Sequence, residues 1–398
     1  MRAAPSPEET RRRNLAALLR NIHLSGPLSR AVLAERMGLN RSTILGLTTD
    51  LAAAGLVTEE LPGQTGKAGR PSLVVRPESE RVTVLALDVG ADRLAAAQVG
   101  LGGMILDRRE TPRPGGGFDP EDVITALVAM GRSLLDSAGT TCVGAGVAFC
   151  GMVREADGVV RYGPNIGWVD VPFGAELSQR LGMRVAVGNN ANLGAVAERA
   201  RGVGAGVADL IYLHGEVGIG GGIIMGGKLL GGAGGYGGEV GHMIVNPGGR
   251  PCGCGARGCL EAEAGELALI AVAGRGDRTG RAAVAAIVEA AARGDSVARD
   301  GLHRVGDWLG YGVANLVNIF DPTMVVFGGV LREIYLAAAA QVRSRLAENG
   351  LPAVRERVRL RTSSLADDAP LVGAAELAFT DLLDDPLEAL ARVGSSPD

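Results

Sequence analysis

The spacing of apolar residues along the chain changes character near residue 80. Before it the spacing is helical: Leu15, Leu18, Leu19 and Ile22 recur at three- and four-residue intervals and predict a helix over Glu8–His23. Ser29 is placed to cap a short helix through Met37, with Leu33 and Glu35 inside it and Gly38 ending it. Asn40 or Ser42 opens a third helix, running to about Ala54. Gly55-Leu56-Val57 leads into a strand, and "PGQTGKAGRPSLVV" reads as a β-hairpin wing with Lys67 and Arg70 at its tip. A short helix, a glycine turn and a second helix are the layout of a helix-turn-helix.

From residue 82 the pattern becomes that of strands followed by helices. "VTVLALDVGADRLAAAQVGLGG" alternates and turns on glycine, a strand hairpin, while "CVGAGVAFCGMV" is a strand and "MRVAVGNNANLGAVAERA" a strand feeding a helix. The theme then repeats: "DLIYLHGEVGIGGGIIMGGKLL" is a second glycine-turned hairpin, and "PTMVVFGGVL" a strand with a helix after it. Two similar α/β halves imply a cleft between lobes, a usual place for a ligand. The division expected is a head over 1–75, a first lobe over 82–200 and a second over 201–398, with the C-terminal helix returning to the first lobe. "GIGGGI" imitates a dinucleotide fingerprint but lies between two strands rather than between strand and helix, which excludes a Rossmann reading.

Charge separates the same regions. Residues 1–81 hold 12 Lys/Arg and 8 Asp/Glu, whereas the whole chain has a net charge of −4. A basic head on an acidic body suggests that only the head meets a polyanion. In a helix-turn-helix the third helix enters the major groove, so Arg41, Ser42 and Thr43 should face bases or phosphates, with Thr48 and Thr49 further along. Arg70, held by Pro71 on the hairpin, suits a minor groove or a phosphate. A small helical interaction module with a solvated basic face is the other reading of this head.

Hydrophobic residues at 46% and charged residues at 21% are ordinary for a globular protein. The polar, basic "MRAAPSPEETRRRN" does not read as a signal peptide, and nowhere do eighteen uncharged apolar residues run together. A cytoplasmic protein without membrane contact is expected. In that setting clustered cysteines favour a metal over disulfides. Of five cysteines, Cys252, Cys254 and Cys259 fall within eight residues, ten positions after His242. Three thiolates and one imidazole make a full tetrahedral set for zinc, though C-x-C-x₄-C is not the usual finger spacing and reduced structural cysteines are the alternative. Glu239 and Glu261 bracket this loop; taken alone, they are equally readable as surface acids.

The series "EVGIGGGIIMGGKLLGGAGGYGGEVGHMIVNPGGRPCGCGARGCLE" resembles the signature of the ROK family (repressors, open reading frames and sugar kinases), and "YGPNIGW", "NNANLGAVAE" and "MVVFGG" follow the family's order. The resemblance covers essentially the whole chain, including the winged helix of the family's regulator branch. It implies an α/β fold: an N-terminal winged helix-turn-helix followed by a two-lobed actin-like ATPase/sugar-kinase fold. It also implies a structural zinc, Zn2+, on His242, Cys252, Cys254 and Cys259. The monosaccharide pocket it implies is lined by Asn165, Asn190, Glu239, His242 and Glu261, with His242 giving one ring nitrogen to the metal and the other to a sugar hydroxyl.

Family kinases need an aspartate as general base in an N-D-x-N segment, where this chain reads Asn189-Asn190-Ala191-Asn192. An amide is too weakly basic for that work. The family's phosphate loop D-x-G-G-T reads Asp88-Val89-Gly90-Ala91-Asp92 here, losing the threonine and gaining a negative charge. The second glycine-rich turn survives, and Cys150 stands where proline is usual. The expectation is a sugar-responsive transcription factor, at least a homodimer or homotetramer, binding operator DNA and a monosaccharide effector, with no catalytic residues. A sugar kinase with a DNA-binding appendage is the runner-up, and a regulator that answers to a protein partner a third reading.

Overall fold

The computed structural model describes residues 6–61, 72–90, 92–112, 119–135, 139–163, 166–275 and 279–394. The head begins with α1 (Pro7–Ser25), started by a capping box in which Ser6 and Glu9 exchange side-chain and backbone bonds. β1 (Leu28–Ser29) precedes α2 (Arg30–Met37), capped by the Ser29 hydroxyl and ended by Gly38 at a left-handed φ of 63°. α3 (Arg41–Ala53) starts on the side chain of Asn40, which accepts from the Thr43 N–H. β2 (Val57–Glu60) and β3 (Val74–Pro77) pair antiparallel, and β3 also pairs β1. Among the described residues this is the winged helix-turn-helix the pattern predicted; the wing tip with Lys67 and Arg70 lies outside them.

The first lobe comprises β4 (Val82–Val89), β5 (Arg93–Gly100), β6 (Met104–Pro112), α4 (Pro120–Leu135), β7 (Thr141–Phe149), the small sheet β8 (Met152–Arg154), β9 (Val159–Gly163) and β10 (Trp168–Val171), then α5 (Phe173–Leu181), β11 (Val185–Asn189) and α6 (Asn190–Arg201). The second comprises β12 (Leu210–Gly215), β13 (Ile219–Met225), β14 (Lys228–Leu229), α7 (Leu260–Ala264), α8 (Glu266–Val272), α9 (Arg281–Ala292), α10 (Ser296–Phe320), β15 (Met324–Gly329), α11 (Val330–Ala337), α12 (Ala339–Asn349), α13 (Pro352–Arg355) and β16 (Arg359–Thr362). The chain closes with α14 (Ala369–Ala378), α15 (Thr380–Asp384) and α16 (Pro386–Gly394).

The two large sheets repeat one topology. Their orders are β11-β7-β4-β5-β6 and β14-β13-β12-β15-β16. In each, the first strand pairs antiparallel with the second and parallel with the fourth. Every residue of β4 is buried, the mark of a strand covered on both faces, here by α4 and α14. Helix α14 packs on β4 and β7, and α6 on β12 and β13, so these two helices form the layer between the sheets. They touch closely: a Cβ on Gly373 would sit 2.0 Å from the Leu193 carbonyl oxygen, so only glycine fits there.

The head is not a bead on a tether. Leu15, Leu18, Leu19 and Ile22 of α1 share one buried cluster with Val84 and Ala86 of β4 and with Ala375, Phe379 and Leu382 near the C-terminus. No helix among the described residues is long and apolar enough to cross a membrane.

Candidate ligand cleft and metal centre

Strand β11 ends where α6 begins, and that junction brings two asparagines to the cleft. Asn189 is the N-cap, its Oδ1 accepting from the N–H groups of Ala191 (2.9 Å) and Asn192 (3.1 Å), while its Nδ2 donates to the Gly151 carbonyl (3.0 Å). Asn190 follows, buried, with Nδ2 donating to Glu216 Oε2 across the lobes (3.3 Å). Asn190, Glu239, His242 and Glu261 line one cavity of about 600 Å³, together with Cys150, Tyr162, His214, Glu216 and Arg250. The structure thus gathers four of the five pocket residues; Asn165 lies outside the described residues.

The far wall is the loop that starts at Glu239. Glu261, at the start of α7, spans two elements: Oε1 accepts from Cys252 Sγ (2.9 Å) and Oε2 from the Ile219 N–H of the β12–β13 turn (3.4 Å). The carboxylate lies close over that turn: a Cβ on Gly218 would sit 2.3 Å from Glu261 Oε2 and push it aside. The Glu239 carboxyl is held above the usual carboxylate range, first by burial and then by the charge of Glu261, against the pull of His242.

His242, Cys252, Cys254 and Cys259 form a cage whose ligand atoms all lie within 4.8 Å of one another. Cys254 Sγ and Cys259 Sγ are 3.7 Å apart, and Cys252 Sγ is 3.7 Å from His242 Nδ1. A tetrahedral ion at about 2.3 Å from sulfur and 2.0–2.1 Å from nitrogen sets neighbouring ligands roughly 3.5–3.8 Å apart. These four residues therefore fit a metal ion. All five cysteines are free thiols. The Ala256 backbone N–H, followed by the neighbouring thiols, brings the Cys254 thiol down to about 7, whereas burial pushes Cys252 up. With Nδ1 turned to the cage, His242 Nε2 faces Glu239 Oε2 at 4.0 Å, on the cavity side.

Two lining residues were not legible in the sequence pattern. His214 lies near the end of β12 and Glu216 in the glycine-rich β12–β13 turn that follows, which read as tight-turn glycines alone. Burial, then Arg281 and Arg93, brings the His214 imidazole down to about 4, so it is neutral at pH 7. Asp88, near the end of β4, is pushed up to about 7 by burial and then by Glu216.

On the head, Arg41 and Ser42 are exposed at the start of α3, Thr43 is half-buried, and the Ser42 hydroxyl donates to the Asn40 side chain (2.8 Å). Thr48 corrects the sequence expectation: it is fully buried, its hydroxyl donating to the Leu45 carbonyl (3.1 Å), so it faces the core and not a groove. Thr49, on the next position round the helix, is exposed.

The ROK family model matches residues 84–381. The chain belongs to the ROK family. The xylose repressor of Caldicellulosiruptor bescii is 30% identical over 391 residues, spanning 94% of this chain and 97% of that one. Among solved structures, a ROK family transcriptional regulator, a homologue of the E. coli MLC protein, matches with a TM-score of 0.79 at 25% identity over 96% of this chain and 99% of its own. A ROK family glucokinase from Streptomyces griseus, solved with glucose and AMPPNP, matches with a TM-score of 0.64 at 31% identity, over 99% of its own chain but 74% of this one. The ROK regulator thus has a counterpart for nearly all of this chain, and the kinase lacks one for about a quarter of it.

Proposed function

We propose that this ROK protein is a sugar-responsive transcriptional regulator, a repressor in the manner of its relatives, that binds operator DNA through the head and a monosaccharide in the cleft. One observation carries the reading: α6 starts in the cavity with Asn190 and ends at the head with Arg201. Arg201 donates to the His23 carbonyl of α1 (2.8 Å) and to Glu376 Oε1 of α14 (2.8 Å). A single twelve-residue helix therefore touches both sites. A ligand that draws Asn190 toward Glu239, His242 and Glu261 favours one lobe arrangement, and the helix transmits it to α1.

The cage is proposed to hold one structural zinc per chain, since four protein ligands leave no open position. Its part is to fix the loop that presents Glu239 and Glu261. A symmetric dimer or tetramer would convert a shift of α1 into a changed spacing of the two α3 helices, which must match half-sites about one helical turn apart. A kinase reading has only the kinase relatives in its favour, because Asn190 offers no base. Operator affinity, measured with and without each of a panel of sugars, tests the proposal. The expected change is about 5–150-fold for one sugar; Glu239→Ala should lose that response and keep its sugar-free DNA affinity. A response unaltered in this variant would move the pocket elsewhere.

A further inference from the structure

Inter-lobe clefts hold phosphates with helix N-termini and the N–H groups of glycine-rich turns. Here the protein's own oxygens occupy such groups. At the N-terminus of α6 the Ala191 N–H meets both Asn189 Oδ1 (2.9 Å) and Asn190 Oδ1 (2.8 Å), and the Asn192 N–H meets Asn189 Oδ1 (3.1 Å). On the β12–β13 turn the Glu216 N–H donates to the Gly218 carbonyl (3.0 Å) and the Ile219 N–H to Glu261 Oε2 (3.4 Å). On the β4–β5 turn the Gly90 N–H donates to the Arg93 carbonyl (3.0 Å).

Charge points the same way. Glu216 stands at the Asn190 end of the cavity, Glu239 and Glu261 at the metal end, and among the described residues Arg250 is the one arginine or lysine in the lining. The arginines that act on Asp88 and His214 are already matched: Arg93 with Glu110 (3.0 Å), Arg108 with Asp368 (2.8 Å), and Arg281 with Asp367. A phosphate at either end of a bound sugar would face a carboxylate, with the N–H groups of Gly90, Ala191, Asn192, Glu216 and Ile219 already bonded within the protein. Carboxylates and amides instead suit hydroxyls, which donate to the first and exchange both roles with the second. We infer that Glu216 is a specificity-determining residue that restricts the cleft to sugars carrying no phosphate. This selection rests on the effector-site reading above. Glu216 faces Asn190 across the lobes, so it also closes the cleft to a nucleotide's terminal phosphate.

The test is titration calorimetry on the full chain as purified, with neutral sugars, their 6-phosphates and the matching uronates. The expected result is binding of one neutral sugar, with its phosphate weaker by on the order of 100-fold or more, as like-charge juxtaposition dictates. Glu216→Gln, which keeps shape and removes charge, should narrow that gap roughly tenfold. A phosphate or uronate binding as well as its parent overturns the inference and leaves the regulator reading standing. A gap that Glu216→Gln leaves unchanged removes Glu216 from the role. If that variant does not fold, the wild-type ratio decides alone. Failure of every sugar, charged or neutral, to bind would sink the effector reading and this inference with it.

Discussion

His23 of the head and Glu376 of the last long helix meet 3.0 Å apart, Nε2 to Oε2, the imidazole fully buried and the carboxylate nearly so. The Gly102 N–H donates to Nδ1 of the same ring (3.0 Å), and Arg201 Nη2 stands 2.6 Å from Nε2. Arg201 completes the group. Burial pushes the Glu376 carboxyl up, but His23 and Arg201 outweigh it, and the net shift is downward. A carboxyl with a depressed native value stabilises the fold above its unfolded value and loses that contribution as the pH falls through the native one. Acid should therefore loosen the seat of the head before neutral conditions do. Urea unfolding from pH 7 down to pH 3 should show falling stability in the wild type and a flatter profile in Glu376→Gln. At pH 7 that variant should be weaker by about 3 kcal/mol, the scale for breaking a buried pair. Equal pH profiles for the two proteins would contradict the assignment.

This triad marks where sequence reading stopped. Helix starts were legible because Ser29 and Asn40 cap by local rules, and the two hairpins because alternation and glycine turns are short-range signals. The metal cage was legible because its ligands fall within eighteen residues of one another. His23, Arg201 and Glu376 are separated by well over a hundred residues at each step, and each alone looks like a surface charge on a helix. Thr48 misled for a related reason: the phase of α3 against α1 decides which threonine faces inward, and only tertiary packing sets that phase. Glu216 was hidden by its setting in a run of glycines.

The metal cage gives the most direct measurement. Elemental analysis of freshly purified, unchelated protein should return about one zinc per chain. Cys254→Ser should lower both metal content and sugar affinity, because the Glu239–Glu261 loop loses its anchor. The thiol chosen already favours ionisation, brought to about 7 by the Ala256 N–H. Protein without metal would remove the cage from the mechanism.

On the head, exposed and buried positions of α3 should behave differently. Arg41→Ala should weaken operator binding by about 1–3 kcal/mol if it reaches a base edge. Arg70→Ala is expected to weaken all sequences alike and flatten the salt dependence if its contact is a phosphate. Thr48→Val, by contrast, should leave DNA affinity unchanged and shift only the melting temperature, since its hydroxyl bonds inside the helix. Loss of DNA binding in a Thr48→Val protein that still folds would reverse the inward assignment.

No sugar should be phosphorylated above background. Asn190→Asp alone should not create activity, because the new carboxylate would face Glu216 Oε2 at the distance now held by an amide donor, 3.3 Å. Two carboxylates that close repel, and one of them takes a proton at neutral pH, which removes the base the substitution was meant to add. Asp88, already pushed up to about 7 beside Glu216, adds to the same repulsion. Sugar-dependent ATP turnover by the unmodified chain would replace the regulator assignment with the kinase one.

The coupling between cleft and head should pass through Arg201. Its guanidinium holds the His23 carbonyl and Glu376 at once, at the opposite end of α6 from Asn190. Arg201→Gln keeps a donor but gives up the charge and the second arm, so α6 can move without carrying α1. Sugar affinity should stay within about twofold, because no atom of Arg201 lines the cavity. The ratio of operator affinities with and without sugar, the coupling itself, should fall toward unity, whereas Glu239→Ala removes the response by removing the ligand. The two variants thus fail in distinguishable ways: one binds sugar and ignores it, the other never binds it. Full coupling in Arg201→Gln would mean that lobe closure reaches α1 by another path, and the apolar seat of α1 on β4, Phe379 and Leu382 is a contact able to provide one.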